Sequence, residues 1–332
     1  MLEMVDSWVD DGTVGSVAAA VVGRDGDVLE RRYAGADERS LFALASVTKP
    51  IVALASLVAV EEGALELDAS VGDHIPEYRD GPRAAITLRH LLSHASGLPE
   101  TAKDTPTLEV LPVYPPGTRR CYSNEGFHIV GLLLAAATGM PYQRYIDEAV
   151  LAPLRLDAWL PLPEDEAGRA IEVRDPGLSA PGVPFFNGPQ WRRRGTAAGG
   201  AFASLDAVAG IAAVLLQRGA PLLHQESFDE LASVQFPGIP GGLESFPKLH
   251  CPDWGLGLNI RGEGGPHWAG DAVSPPTLSH FGASGTLLWV DPEAGVALVC
   301  LTDRGTYSGW MLKPGGWPDL SANVIREHGR VA

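Results

Sequence analysis

This 332-residue sequence predicts a mixed α/β (α+β) fold, with one antiparallel sheet flanked by helices and joined to a mainly helical lobe. Three observations carry that prediction. A pair of short apolar stretches brackets a turn near the N-terminus, a similar pair closes the chain, and long helical segments lie between them. Strands at both ends and helices between suggest a single sheet built from both ends of the chain.

The first pair is SVAAAVVGRDGDVLERRYA, residues 16–34, with its hairpin turn at Arg24-Asp25-Gly26-Asp27. Helices are expected over 47–62, 86–95, 124–138 (ending at Gly139), 142–149 and 205–218. The closing pair reads GTLLWV, then the turn DPEAG, then VALVCLTD. The expected organisation is one unit over 1–332, with an α/β lobe of about 1–45 and 205–332 and a mainly helical lobe of about 46–204. No repeat, low-complexity tract or linker is visible. Pro/Gly-rich stretches at 112–117, 176–189 and 236–242 read as ordered surface loops of the kind that rim an active site.

A net charge of −16 argues against nucleic acid or an anionic membrane as partner, because both call for a basic face. The one basic cluster, Arg192-Arg193-Arg194, is too short to change this and reads as a solvated loop. The N-terminal segment lacks a positive leader region, and Asp6, Asp10 and Asp11 interrupt it. No apolar run is long enough to span a bilayer. Cys121, Cys251 and Cys300 are an odd, scattered set unlike a disulfide framework, so a cytoplasmic protein with reduced thiols is expected.

Chemistry first suggests itself in SLFALASVTKPIVALASLVAVEEG, where Ser46 and Lys49 stand three apart at the mouth of an apolar run. The chain holds 21 Arg and four Lys, so lysine at this position is notable. Unlike Arg, Lys loses its proton when desolvated. Ile51, Val52, Leu54, Leu57, Val58 and Val60 describe a helix buried around most of its circumference and stopped at Gly63. Pro50 falls in or just after its first turn, where a missing N–H costs least. Ser46 then opens the helix, with Lys49 one turn on and its positive end beside the serine oxygen. Ser245 and Lys248 have the same spacing, but Gly241, Gly242 and Pro247 break any helix there, which makes that pair a decoy.

Two further segments complete a possible site. In PPGTRRCYSNEGFHIVG, Tyr122 and Asn124 sit on a turn leading into a helix, where a phenol can pass a proton and an amide can orient a lysine or a substrate. The plainer alternative is a buried tyrosine with its hydroxyl satisfied and Asn124 as helix cap. In SHFGASGTLLWV, His280 and Gly282 stand at the entrance to a strand, whose backbone N–H could join that of the nucleophile in an oxyanion hole. Ser-x-x-Lys, Tyr-x-Asn and His-x-Gly occur together by chance on the order of 1 in 50, before their order is considered.

On these motifs the chain resembles the serine β-lactamase and penicillin-binding-protein superfamily, most closely its class C β-lactamase-like branch of esterases and D-amino-acid peptidases. The matching segments run nearly end to end: ASVTKP, ITLRHLLSHASGLP, PGTRRCYSNEGFHIVG, GTAAGGAFASLDAVAG and HFGASG. The resemblance implies Ser46 as acyl-accepting nucleophile, Lys49 as its proton acceptor, and Tyr122 as partner base and proton relay. It implies Asn124 as the group that positions Lys49 and the substrate, with His280 and Gly282 lining the substrate. It also implies an oxyanion hole from the N–H groups of Ser46 and Ala283, with no metal or organic cofactor. One departure matters. Where many β-lactamases and D,D-peptidases carry Lys-Thr-Gly or Lys-Ser-Gly, this chain has His280-Phe281-Gly282, which attracts a substrate carboxylate less. The expected substrate is therefore a small ester or neutral amide, with β-lactams and D-amino-acid peptides as the alternative.

Competing readings were weighed on the same residues. His90 and His94 have a metal-sharing spacing, but position 91 is Leu where a metalloprotease helix needs Glu, and no metal is expected. The Gly-x-Ser-x-Gly elbow of α/β-hydrolases is absent. A non-catalytic binding protein on the same fold would have no chemical need for Ser46, Lys49, Tyr122 and Asn124 together. Phe185, Phe186, Trp191, Trp254 and Trp268 lie in loop-like segments and either line an apolar pocket or simply pack.

Overall fold

A continuous apolar run, buried at every position, makes β1 (Val17–Gly23), and the partly exposed β2 (Val28–Ala34) pairs beside it, after helix α1 (Met4–Asp10). Gly26 takes φ 85° in the turn between the strands, a conformation that favours glycine. The structure, a computed structural model, describes residues 2–101, 107–174 and 186–329.

The middle of the chain opens with β3 (Phe42–Ala43) and α2 (Thr48–Glu61). It continues through α3 (Leu88–Leu92), β4 (Arg120–Cys121), α4 (Asn124–Thr138) and α5 (Tyr142–Ile146). Then come β5 (Ala158–Trp159), α6 (Pro189–Arg194) and β6 (Phe202–Ala203). After α7 (Leu205–Leu216), α8 (Gln225–Leu231) and β7 (Gly241–Gly242), the chain returns to the sheet. The returning strands are β8 (Asn259–Ile260), β9 (Leu278–Gly282), β10 (Thr286–Asp291) and β11 (Val296–Thr302), and α9 (Trp317–His328) follows.

The main sheet has six strands in the order β2-β1-β11-β10-β9-β8, with antiparallel neighbours throughout. Both chain ends supply it, as the sequence predicts, and Val17 pairs with Thr302 where they meet. Its central strands are buried on both faces, and the two-residue period divides them between two cores. Ala18, Ala20, Val22, Leu288, Val299 and Leu301 face α7 and the helices of the middle segment. Val17, Val21, Leu287, Trp289, Leu298 and Cys300 face Val5 and Trp8 of α1 and Trp317 and Leu320 of α9. A one-residue slip would exchange the two sets, so both cores hold the register.

The expected helices form, with shifted ends. Ser123 caps α4 by accepting from the Gly126 N–H at 2.9 Å, and Gly139 ends it at φ 71°. Ser123 therefore takes the capping role that Asn124 could have filled. The helix expected over 86–95 shrinks to Leu88–Leu92, because Thr87 caps its start and His94 turns left-handed at φ 57°. Beyond Ile146 the segment expected to run to 149 widens into a π turn over Asp147–Leu151. Arg192–Arg194 form the last turn of α6 rather than a loop, with Arg193 and Arg194 exposed. Gly241 and Gly242, expected in a loop, pair in parallel with Arg120 and Cys121. Of the stretch 176–189, residues 176–185 lie outside those described. The three cysteines are buried and free, and among the described residues no helix is long and apolar enough to cross a membrane.

Candidate active site

Ser46 sits in a tight 3₁₀ turn over Ala45–Val47, immediately before α2 rather than within it. Ala45 has φ 46°, a left-handed conformation that side chains disfavour and that persists only where surroundings hold it. The turn is anchored from two sides. Thr286 Oγ donates to the Leu44 carbonyl at 2.8 Å, Ser284 Oγ donates to the Ala43 carbonyl, and the Leu44 N–H donates to Ala201 at 2.9 Å. Gly282 makes this possible, since a Cβ there would lie 2.2 Å from the Leu44 oxygen. Its missing side chain makes room for the backbone beside the serine, and Gly282 is not among the residues lining the cleft.

Lys49, the second residue of α2, is completely buried. Its Nζ lies 3.0 Å from Ser46 Oγ, 2.8 Å from Asn124 Oδ1 and 2.6 Å from the Ala198 carbonyl. The Ala198 segment closes over it where the Ala201 N–H donates to Thr48 Oγ at 3.1 Å. Burial brings the Lys49 amine down from its ordinary 10.5 to about 7, against an opposing pull from the Glu100 carboxylate. A neutral amine has two hydrogens and one lone pair. With Asn124 and Ala198 accepting the hydrogens, the lone pair is left for the Ser46 hydroxyl.

Tyr122 packs against the other side of the serine, its ring 4.9 Å from Lys49 Nζ and 4.3 Å from the His94 ring. Burial raises its phenol well above the usual range, although the hydrogen bond with Ser46 works the other way. His280 lies behind, its ring 6.0 Å from that of Tyr122. His280 Nδ1 is 2.8 Å from the Phe281 carbonyl and must donate to it, which leaves Nε2 as a buried acceptor with no partner among the described residues. Burial and the Lys49 charge push this imidazole down to about 3. His90 and His94 are engaged apart from each other. His90 Nδ1 contacts Thr87 Oγ at 2.8 Å, while His94 Nδ1 accepts from the Ser123 N–H at 3.1 Å.

These groups meet at one cleft that opens to solvent. Ser46, Tyr122, Asn124, His280 and Ala283 line it, and the Ala283 carbonyl accepts from the Thr306 N–H at 3.0 Å. Trp254 and Trp268 stand in its wall, whereas Phe186 and Trp191 pack on each other in a separate cluster with Phe202. Phe185 lies outside the described residues.

Sequence reasoning missed Glu100, Leu243, Phe246 and Tyr307, all of which line the cleft. Glu100 follows the segment ending in SGLP, but no spacing points from it to Ser46. Ser245 stands in a turn and not on a helix, so its pairing with Lys248 remains a decoy. Its hydroxyl nevertheless lines the same cleft and meets the Glu100 carboxylate, 2.6 Å from Oε1.

Known proteins arrange themselves around the same reading. The beta-lactamase family model matches residues 5–309. Esterase EstB of Burkholderia gladioli is 29% identical, over 88% of this chain and 86% of its own. An N-acetylmuramyl-L-alanine amidase of Bacillus subtilis is 27% identical, over 84% of this chain and 71% of its own. Among solved structures, a beta-lactamase from Mycobacterium bovis is 35% identical with a TM-score of 0.72, covering 98% of this chain and 100% of its own. Relatives of this chain thus carry names of enzymes that cleave esters and amides. The chain belongs to the beta-lactamase family and is a serine hydrolase of that family.

Proposed function

We propose that the protein hydrolyses small esters, and neutral amides more slowly, through an acyl-enzyme on Ser46. The observation that carries this reading is the buried Lys49 amine 3.0 Å from Ser46 Oγ, with its other two close contacts both acceptors. In the first half-reaction Lys49 takes the Ser46 proton as the oxygen attacks the carbonyl carbon. The negative charge that gathers on the carbonyl oxygen is met by the N–H groups of Ser46 and Ala283. Tyr122 relays the proton to the departing alcohol as a neutral phenol, a role that its raised pKa favours over that of a phenolate base. Asn124 holds Lys49 in place. Water then enters, gives up a proton along the same path and releases the acid.

Esters rank above β-lactams and D-amino-acid peptides because those substrates bear carboxylates. Among the described residues lining the cleft, the one formal charge is the negative Glu100, and His280 presents an acceptor where a cation would be needed. Steady-state hydrolysis of 4-nitrophenyl butyrate, beside a chromogenic cephalosporin and a D-Ala-D-Ala peptide, tests the reading. The expected result is ester turnover at a kcat/KM at least tenfold above either carboxylate-bearing substrate. Preferential cephalosporin turnover would reverse the ranking, and no turnover of any of them would remove the hydrolytic role of Ser46.

A further inference from the structure

Resting on the Ser46 hydrolase reading, we propose that the preferred substrate carries a positively charged ammonium group, seated between the Glu100 carboxylate and the aromatic walls of the cleft.

The polar groups of the cleft are matched to a cation. Glu100 is half-buried at the cleft wall and is its one formal charge among the described lining residues. Ser245 lies within reach of both carboxylate oxygens, but a hydroxyl has one hydrogen to give while a carboxylate has about four acceptor positions. Among the described residues, most of the acceptor capacity therefore remains open. The Glu100 field reaches the chemistry as well, acting on Lys49, Tyr122 and Tyr307. Burial raises the Glu100 carboxyl above its ordinary range and the nearby Glu244 charge adds to this, against the Ser245 hydrogen bond and the Lys49 charge. A cation seated beside it would relieve a carboxylate that the cleft itself leaves poorly compensated. His280 Nε2 is a further buried acceptor without a partner among the described residues.

Apart from Leu243 and Ala283, the rest of the wall is aromatic. Trp254, Trp268, Phe246 and Phe281 line the cleft, and Tyr307, about half exposed at 47%, stands among them. Phe281 packs between Trp268 and Phe246, with ring centroids 4.9 and 5.3 Å away, so the wall is a packed set of rings. Aromatic faces attract ammonium groups, and more strongly when water is excluded. A carboxylate beside such faces repels an acidic substrate and leaves a neutral one without gain. The net charge of −16 adds long-range attraction for a cation.

The test compares two esters of one shape, acetylcholine and 3,3-dimethylbutyl acetate, whose quaternary nitrogen and carbon differ only in charge. For the wild type at low ionic strength, kcat/KM for the cationic ester is expected to exceed the neutral one at least tenfold, about 1.4 kcal/mol. The ratio should shrink as salt is added. In Glu100→Gln it should fall to about threefold or less. Equal ratios in wild type and variant, or a neutral ester preferred by the wild type, would overturn the proposal. Both can be seen while ester turnover itself stands. If neither ester is cleaved, the hydrolase reading fails first, and the ammonium site is decided by binding. Choline should then quench tryptophan fluorescence at lower concentration than 3,3-dimethylbutanol, and equal binding of the two would refute the site.

Discussion

Replacing Lys49 by Met should make the protein inactive and change how its stability depends on pH. In the folded chain the amine falls from 10.5 to about 7 because α2 and the Ala198 segment bury it. Between those two values the unfolded chain binds a proton that the folded chain has released, so wild-type stability rises with pH through that window. Below pH 7 the cost is complete and nearly constant. Linkage sets it at roughly 4 kcal/mol at pH 7 and roughly 2 kcal/mol at pH 9. The variant has no such group. Its own penalty, from Asn124 Oδ1 and the Ala198 carbonyl losing their donor, is about 1–3 kcal/mol for each buried acceptor and independent of pH. Urea denaturation of both proteins at pH 7 and pH 9 isolates the effect, because the other titrations largely cancel. The variant should gain about 2 kcal/mol on the wild type as pH falls from 9 to 7. A difference between the two proteins that stays constant would mean that Lys49 remains charged when folded, and the base would have to be sought elsewhere.

Activity should follow the same titration. For neutral esters kcat/KM is expected to rise with pH through about 7 as Lys49 loses its proton, since Tyr122 and His280 are held neutral around it. Glu100→Gln removes the carboxylate that favours the ammonium form and should move this limb to lower pH, which a pH–rate profile reads directly. Tyr122→Phe takes away the relay hydroxyl and should lower kcat by about 10²–10⁴ while thermal unfolding changes little. Gly282→Ala would place a methyl 2.2 Å from the Leu44 oxygen and 2.3 Å from Thr286 Oγ. It should cost about 2 kcal/mol or more in denaturant unfolding and disturb the Ser46 turn, lowering kcat as well.

What the sequence conveyed was local. α4 is announced by Gly139 at its end, although the cap at its start is Ser123 and not Asn124, and α2 by apolar residues on nearly all its faces. Features set by distant contacts did not show. Ala45 is held left-handed by β9 and β10, which lie far along the chain, so Ser46 looked like the first residue of α2 instead of part of a turn before it. α9 was missed although Trp317, Leu320 and Val324 recur at the spacing of one buried helix face. Glu100, Phe246 and Tyr307 come from loops with no periodicity to mark them, and only folding gathers them around the serine. Ser46 and Lys49 stand only three residues apart, and such a pair survives in a one-dimensional pattern. The substrate's surroundings do not.

The most direct measurement is the intact mass of the protein after brief exposure to a fluorophosphonate probe, run beside Ser46→Ala. A single adduct on the wild type and none on the variant is the expected result, because only an activated serine reacts quickly. An unmodified wild type, folded and beside a reactive control enzyme, or an adduct that persists in Ser46→Ala, would contradict the assignment of Ser46 as nucleophile.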